Sequence, residues 1–248
     1  MSSKISRLAT TTSSSSSISS TTSSSSSSTT SSAISPKYGM TSLSYVGCAV
    51  IVVGFTTLLN GSSLTFEKHA VTALFILSSM IYSLHLVFGL YIYPSSFHHS
   101  GSNILPPSLK IHRSLMGLLV GTILFYMISI FYGAPITRSF FRTVAFSQLL
   151  SSMTAVPTTI LLGCHPQAWK DTFFSPMHNS IYETCCTIIV VFSLVGAWVG
   201  GFVIPLDWDR PWQAWPISCT YGAIIGHCIS LIICSIFTLK SNKKKNIM

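Results

Sequence analysis

Negative charge is what this sequence has least of. Its 248 residues include five Asp and Glu, and Asp, Glu, Lys and Arg together make up 8% of the chain. A soluble domain carries roughly 25% charged residues, so a water-covered globular surface is excluded and an integral membrane protein is expected. The fourteen Lys and Arg give a formal net charge of +9. They are scattered at the ends of apolar runs and in a short C-terminal tail, without the clustered stripe that nucleic acid requires. No nucleic-acid partner is expected.

Several chemistry-bearing patterns are also missing. The seven cysteines, Cys48, Cys164, Cys185, Cys186, Cys219, Cys228 and Cys234, contain no CxxC pair, which argues against a zinc site and a disulfide framework. Most fall inside apolar runs and read as small buried hydrophobes; palmitoylation of Cys185 and Cys186 near a span border is the alternative. The eight histidines include no HExxH or other i, i+4 pair. His98, His99 and His112 share one expected loop, while His85 and His227 fall within spans, where an interhelical hydrogen-bond role is the ordinary one and His227 the single functional candidate. No nucleophile triad or phosphate-cradling glycine loop is present, and no apolar core follows Lys4 and Arg7 as it would in a secretory signal. Hence no catalytic residue, cofactor or metal ligand is assigned.

What the chain does have is hydroxyl, then apolar length. Every residue from Thr10 to Ser32 except Ile18 is Ser or Thr, so residues 1–36 are expected to form a disordered low-complexity tail. With 48% hydrophobic residues and a mean hydropathy of +0.58, residues 37–240 are expected to form an all-α, polytopic domain. Six segments, Leu43–Asn60, Ala70–Tyr93, Ser114–Gly133, Phe140–Leu162, Ile181–Ile204 and Trp215–Leu239, approach or exceed the roughly 20 residues needed to cross the hydrocarbon layer. Residues 241–248 then form a basic tail. Six spans put both termini on one side, and the side follows from the cations. With a cytosolic N-terminus, Lys4, Arg7, Lys37, Lys110, Arg113, Lys170, Lys240, Lys243, Lys244 and Lys245 are cytosolic, against Lys68, Arg138, Arg142 and Arg210 opposite; ten against four favours both termini in the cytosol. The sequon Asn60-Gly61-Ser62 abuts the first span too closely to be glycosylated.

The densest polar punctuation lies between the last two spans, in PLDWDRPWQAWP at Pro205–Pro216. An ionisable cluster at a span end marks contact with a headgroup, an ion or a partner. Asp207, Asp209 and Arg210 offer a metal or phosphate site, but two carboxylates are few for a metal. A turn pinned by an Asp–Arg pair and shaped by prolines is the favoured reading, with Asp207, Trp208, Asp209, Arg210, Pro211, Trp212, Trp215 and Pro216 as candidate partner- or lipid-binding residues; an aromatic belt is the bland alternative for the tryptophans. Glu183 opens the fifth span where the helix dipole favours a carboxylate, with Lys170 as its candidate partner. Gly196, Gly200, Gly222 and Gly226 give each of the last two spans a small-xxx-small face for helix packing.

The string PLDWDRPWQAWPISCT resembles the signature of the PIG-F family, a membrane subunit of the machinery that builds glycosylphosphatidylinositol (GPI) anchors. FYGAP at Phe131–Pro135, AVP and LLG between Ala155 and Gly163, and VGAW at Val195–Trp198 are similar to further stretches of that family and fall in its order. The resemblance runs from about Phe131 to the end of the sixth span. It implies a noncatalytic subunit in the endoplasmic reticulum that stabilises the second and third GPI ethanolamine phosphate transferases. A chain that itself handles a phospholipid headgroup, as enzyme or transporter, is the alternative.

Overall fold

A computed structural model of the chain describes residues 36–61, 66–91, 106–163, 166–174, 181–206, 208 and 210–245. The Ser/Thr-rich tail up to residue 35, His98, His99, Cys164, Asp207, Asp209 and the last three residues lie outside them. Among the described residues the regular elements are α1 (Pro36–Gly61), α2 (Phe66–Tyr91), α3 (Pro107–Phe131), α4 (Phe140–Met153), α5 (Ala155–Leu162), α6 (Pro166–Phe174), α7 (Ile181–Gly201), a 3-10 turn at Pro211–Gln213 and α8 (Ile217–Lys245). Six stretches are long and apolar enough to cross a bilayer, with α4 and α5 forming one of them. The protein is an all-α, multi-pass membrane protein.

Local chemistry sets the ends and breaks of these helices. Pro106 and Pro107 open α3, where a missing N–H costs nothing because the first helical donors have no partner anyway. This start precedes the expected Ser114 and moves Lys110 and His112 out of the loop assigned to them. His112 is exposed on α3, whereas Lys110 is buried and its Nζ donates to the Gly89 carbonyl at 2.9 Å. A cation beside the last carbonyls of α2 is favourably placed in the helix field. The fourth span breaks at Thr154 (φ −117°, ψ −61°), three residues before Pro157. That proline lacks the donor that Met153 would otherwise receive, and its ring crowds the same carbonyl.

This broken span is the centre of the bundle. Of its most apolar stretch 83% is buried inside the protein, against 28% for α3 and α7. It is also the least apolar of the six, and the two facts are linked: a helix wrapped by other helices needs no lipid-facing surface. Its hydroxyls are satisfied in place. Ser147, Thr154 and Thr158 bond to carbonyls four residues back, and Ser151 reaches across to the Gly117 and Leu118 carbonyls of α3 at 3.2 and 2.9 Å. Back-bonding of this kind lets Ser and Thr sit in a helix where no water is available. Gly117 and Gly121 receive this face, since an added Cβ on either would strike Thr159, Ser151 or Ala155.

The short helix α6 was not foreseen. It is nine residues long and polar, too short for a periodicity to declare itself. Trp169 fixes it by donating from Nε1 to the Gly163 carbonyl at 2.9 Å, and Gln167 Nε2 donates to Asp171 Oδ1 at 3.0 Å one turn on. The described cysteines are all buried, Cys185 and Cys186 included. Neither thiol is exposed for acylation, which removes the palmitoylation alternative.

Candidate functional site

The last two helices make the closest contact in the bundle. A Cβ on Gly196 would collide with the Gly222 carbonyl, one on Gly200 with the Ser218 carbonyl, and one on Gly226 with the Phe192 carbonyl. As α7 rises from Gly196 to Gly200, its contacts on α8 fall from Gly222 and Gly226 towards Ser218, so the two helices run antiparallel with backbone against backbone. Small residues permit this approach, and dispersion and weak polar contacts accumulate along it. Gly196, Gly200, Gly222 and Gly226 therefore face one another within this chain.

Such a tight pair leaves the connecting segment to fold over its own end. Successive turns carry the backbone from Gly201 to Leu206, with Ile204 N–H donating to the Gly201 carbonyl at 3.1 Å and Trp208 N–H to the Leu206 carbonyl at 2.9 Å. The residue that holds this segment is Gln213, which sequence reasoning passed over. Its Nε2 donates to the carbonyls of Val203 and Leu206 at 2.9 and 2.6 Å, while its Oε1 accepts from the Arg210 N–H at 2.9 Å. The Gln213 N–H in turn donates to the Arg210 carbonyl at 3.0 Å. One buried amide thus ties three backbone groups of the turn together: it adds a second bond to the Val203 and Leu206 carbonyls, which also accept from the Leu206 and Trp208 N–H groups, and gives the Arg210 N–H an acceptor. The signal was there in principle: a lone uncharged amide amid Trp and Pro at a span end needs partners for all its polar atoms.

The expected site residues divide into two sets. Trp212 and Trp215 are half-buried against the core, and Pro216 is buried behind a cis Trp215–Pro216 bond. Trp215 donates from Nε1 to Thr143 Oγ1 of α4 at 3.0 Å and meets Phe146 edge-on, with ring centroids 5.4 Å apart. Trp208, Arg210 and Pro211 point outward and are exposed; Trp208 touches Trp212 edge-on at 5.9 Å. Asp207 and Asp209 lie outside the described residues, so the Asp–Arg pairing expected for this turn is not part of the described geometry. The structure also brings His85 and His227 together. Both are buried, with Nε2 atoms 3.4 Å apart, and His227 Nδ1 lies 3.1 Å from Ser193 Oγ. Reading His227 as isolated missed the second imidazole because 142 residues separate the two.

A groove of about 600 Å³ opens beside this turn. Its walls come from the C-terminal end of α3 and the Tyr132–Pro135 loop, from Phe146 and Leu150 of α4, and from Leu194, Ala197, Trp198 and Gly201 of α7, with Pro205, Trp215 and Cys219 closing it. The loop can enter the wall because Gly133 takes φ +91° with open space around its Cα, a conformation that costs glycine nothing. FYGAP, VGAW and two residues of the Pro205–Pro216 string, which are far apart in sequence, line this one surface.

The family described as "GPI biosynthesis protein family Pig-F" matches residues 42–235. The match reaches back through α1 and α2, well beyond Phe131, where the resemblance was expected to start. Spans facing lipid keep their character while exchanging one apolar residue for another, so they leave no string to read. The human and mouse proteins named "GPI ethanolamine phosphate transferase, stabilizing subunit" are each 37% identical over 180 residues, covering 72% of this chain and 80% of theirs. "Glycosylphosphatidylinositol anchor biosynthesis protein 11" of Candida albicans is 32% identical over 130 residues, half of this chain and 49% of its own. No solved structure matches the chain.

Proposed function

The chain belongs to the GPI biosynthesis protein family Pig-F, and on that premise we propose that it is the noncatalytic membrane subunit that stabilises a GPI ethanolamine phosphate transferase. The observation that carries this is the 37% identity, over 72% of the chain, to relatives bearing that name. The pathway places it in the endoplasmic reticulum membrane as a multi-pass protein. In finer detail, the partners are the second and third of these transferases, both termini are cytosolic, and the Pro205–Pro216 turn lies on the lumenal side. The charge bias supports this orientation: ten of the fourteen Lys and Arg fall on the side of the termini, against Lys68, Arg138, Arg142 and Arg210 on the side of the turn. Residues 1–36 act as a solvated extension, residues 37–240 as the membrane domain and residues 241–248 as a cytosolic tail.

The outward set of the turn, Trp208, Arg210 and Pro211, is the partner-facing part, and their sequence neighbours Asp207 and Asp209 are candidates for the same contact. The inward set, Gln213, Trp212, Trp215 and Pro216, holds it in place. The test is recovery of the transferases with the tagged full chain from mild detergent. Asp209→Ala with Arg210→Ala should lower that recovery more than His98→Ala with His99→Ala at the other end. Normal recovery accompanied by accumulation of GPI precursors lacking ethanolamine phosphate would instead make the turn act on lipid. A C-terminal epitope shielded from protease in sealed microsomes would reverse the orientation.

A further inference from the structure

We propose that the groove between α3, α4 and α7 holds one acyl chain of an anionic phospholipid, with the lipid phosphate on Arg142 and Arg138 at its mouth. This does not rest on the subunit reading, because a chain that bound no transferase would present the same groove.

Three observations carry it. The groove, of about 600 Å³, falls within the roughly 300–1,000 Å³ of small-molecule sites and is walled mainly by apolar side chains, Phe125, Phe146, Trp198 and Trp215 among them, with Ser129 and Tyr132 adding hydroxyls. It opens between the ends of helices long and apolar enough to cross a membrane. Gly201 makes its floor hollow: a Cβ there meets only Cys219 Sγ, at 3.7 Å, and the space beyond is the groove itself.

Two arginines lie close in sequence to residues of the groove's walls. Arg142 lies in the first turn of α4, four residues before the wall residue Phe146, and residues so spaced share a helix face. Arg138 follows the wall residue Pro135 by three. Both are exposed. Guanidinium forks a phosphate through two parallel hydrogen bonds, whereas lysine acts as a hydrated point charge. Cations above an apolar slot fit a lipid bearing net negative charge better than a neutral helix of another protein, and that complementarity selects the occupant.

The experiment uses the full chain in phosphatidylcholine nanodiscs containing a minor fraction of phosphatidic acid or, separately, phosphatidylcholine, each with a photoactivatable group midway along one acyl chain. Labelled peptides are mapped by mass spectrometry. The phosphatidic acid probe should label the peptides holding Phe146–Leu150 and Ala197–Phe202 several-fold more than the phosphatidylcholine probe. Gly201→Leu, or Leu194→Phe as a second filler should the first lower the melting temperature, should cut that labelling to the level of the outward α3 residues Leu119 and Ile123. Arg138→Gln with Arg142→Gln should equalise the two probes while leaving the groove labelled. The proposal falls if labelling on Leu119 and Ile123 matches the groove, or if both probes label it equally before any substitution. It also falls if labelling is insensitive to both fillers, or if added transferase abolishes it, which would make a partner helix the occupant.

Discussion

α8 is held by two unlike surfaces. Towards α7 it offers Gly222 and Gly226, and contact is made by backbone on backbone. Towards α1 and α2 it offers side chains: Ser235 Oγ lies 2.6 Å from Ser42 Oγ, Tyr221 donates from its hydroxyl to Asn60 Oδ1 at 3.0 Å, and His227 meets His85. Asn60, the residue of the sequon, is therefore a packing residue at the end of α1. The difference concerns what can yield. A side-chain pair can rotate away and lose one hydrogen bond, worth about 0.6 kcal/mol on average between membrane helices. A backbone contact has no rotamer to change, so an intruding methyl must push a whole helix aside.

The comparison breaks most clearly at the glycines. Gly222→Leu should cost more than about 3 kcal/mol by overpacking against an unyielding backbone, and the full chain should lose its single peak in size-exclusion chromatography in detergent. A variant that stayed monodisperse with unchanged melting temperature would show the α7–α8 contact to be looser than drawn. Next comes the turn that the contact supports. Gln213→Ala removes one bond from each of the Val203 and Leu206 carbonyls and the acceptor of the Arg210 N–H, at about 1–3 kcal/mol. Limited proteolysis should then cut within residues 202–213 well before the helices.

The polar face should respond more gently. His227→Leu removes the partner of both His85 and Ser193 at a cost of about 1–2 kcal/mol, and a double-mutant cycle with His85→Leu should return a coupling of about 0.6 kcal/mol, read from thermal unfolding in detergent. Coupling of several kcal/mol would mean that the imidazole pair, and not the glycine contact, holds α8. Ser42→Ala should cost no more than about 0.6 kcal/mol by the same measure. Smallest of all is Gly54→Leu on α1, where an added Cβ meets nothing within 4 Å; its melting temperature should be unchanged, which makes it the control for the Gly222 result.

The six spans were legible because each is a local property: about 20 apolar residues in a row can be recognised without knowing what surrounds them. The small-residue spacing on α7 and α8 was legible for the same reason. The Pro205–Pro216 string stood out through residue types that a bilayer helix does not tolerate in its middle. Gln213 went unread because its value lies in three backbone groups that only the folded turn places around it. The boundary of α3 was misjudged, since Lys110 looks like a loop cation until the Gly89 carbonyl is seen beside it.

Composition by itself determined that this chain lives in a membrane, that it crosses six times, and that its last two helices can approach closely, because charge scarcity, apolar length and glycine spacing act within one segment. Only the tertiary structure decided that the fourth span is the buried centre of the bundle, that two histidines 142 residues apart meet, and that FYGAP, VGAW and Trp215 enclose one groove. Those outcomes depend on which faces of separate helices meet. That choice minimises the energy of the whole bundle, and no single stretch of sequence contains it.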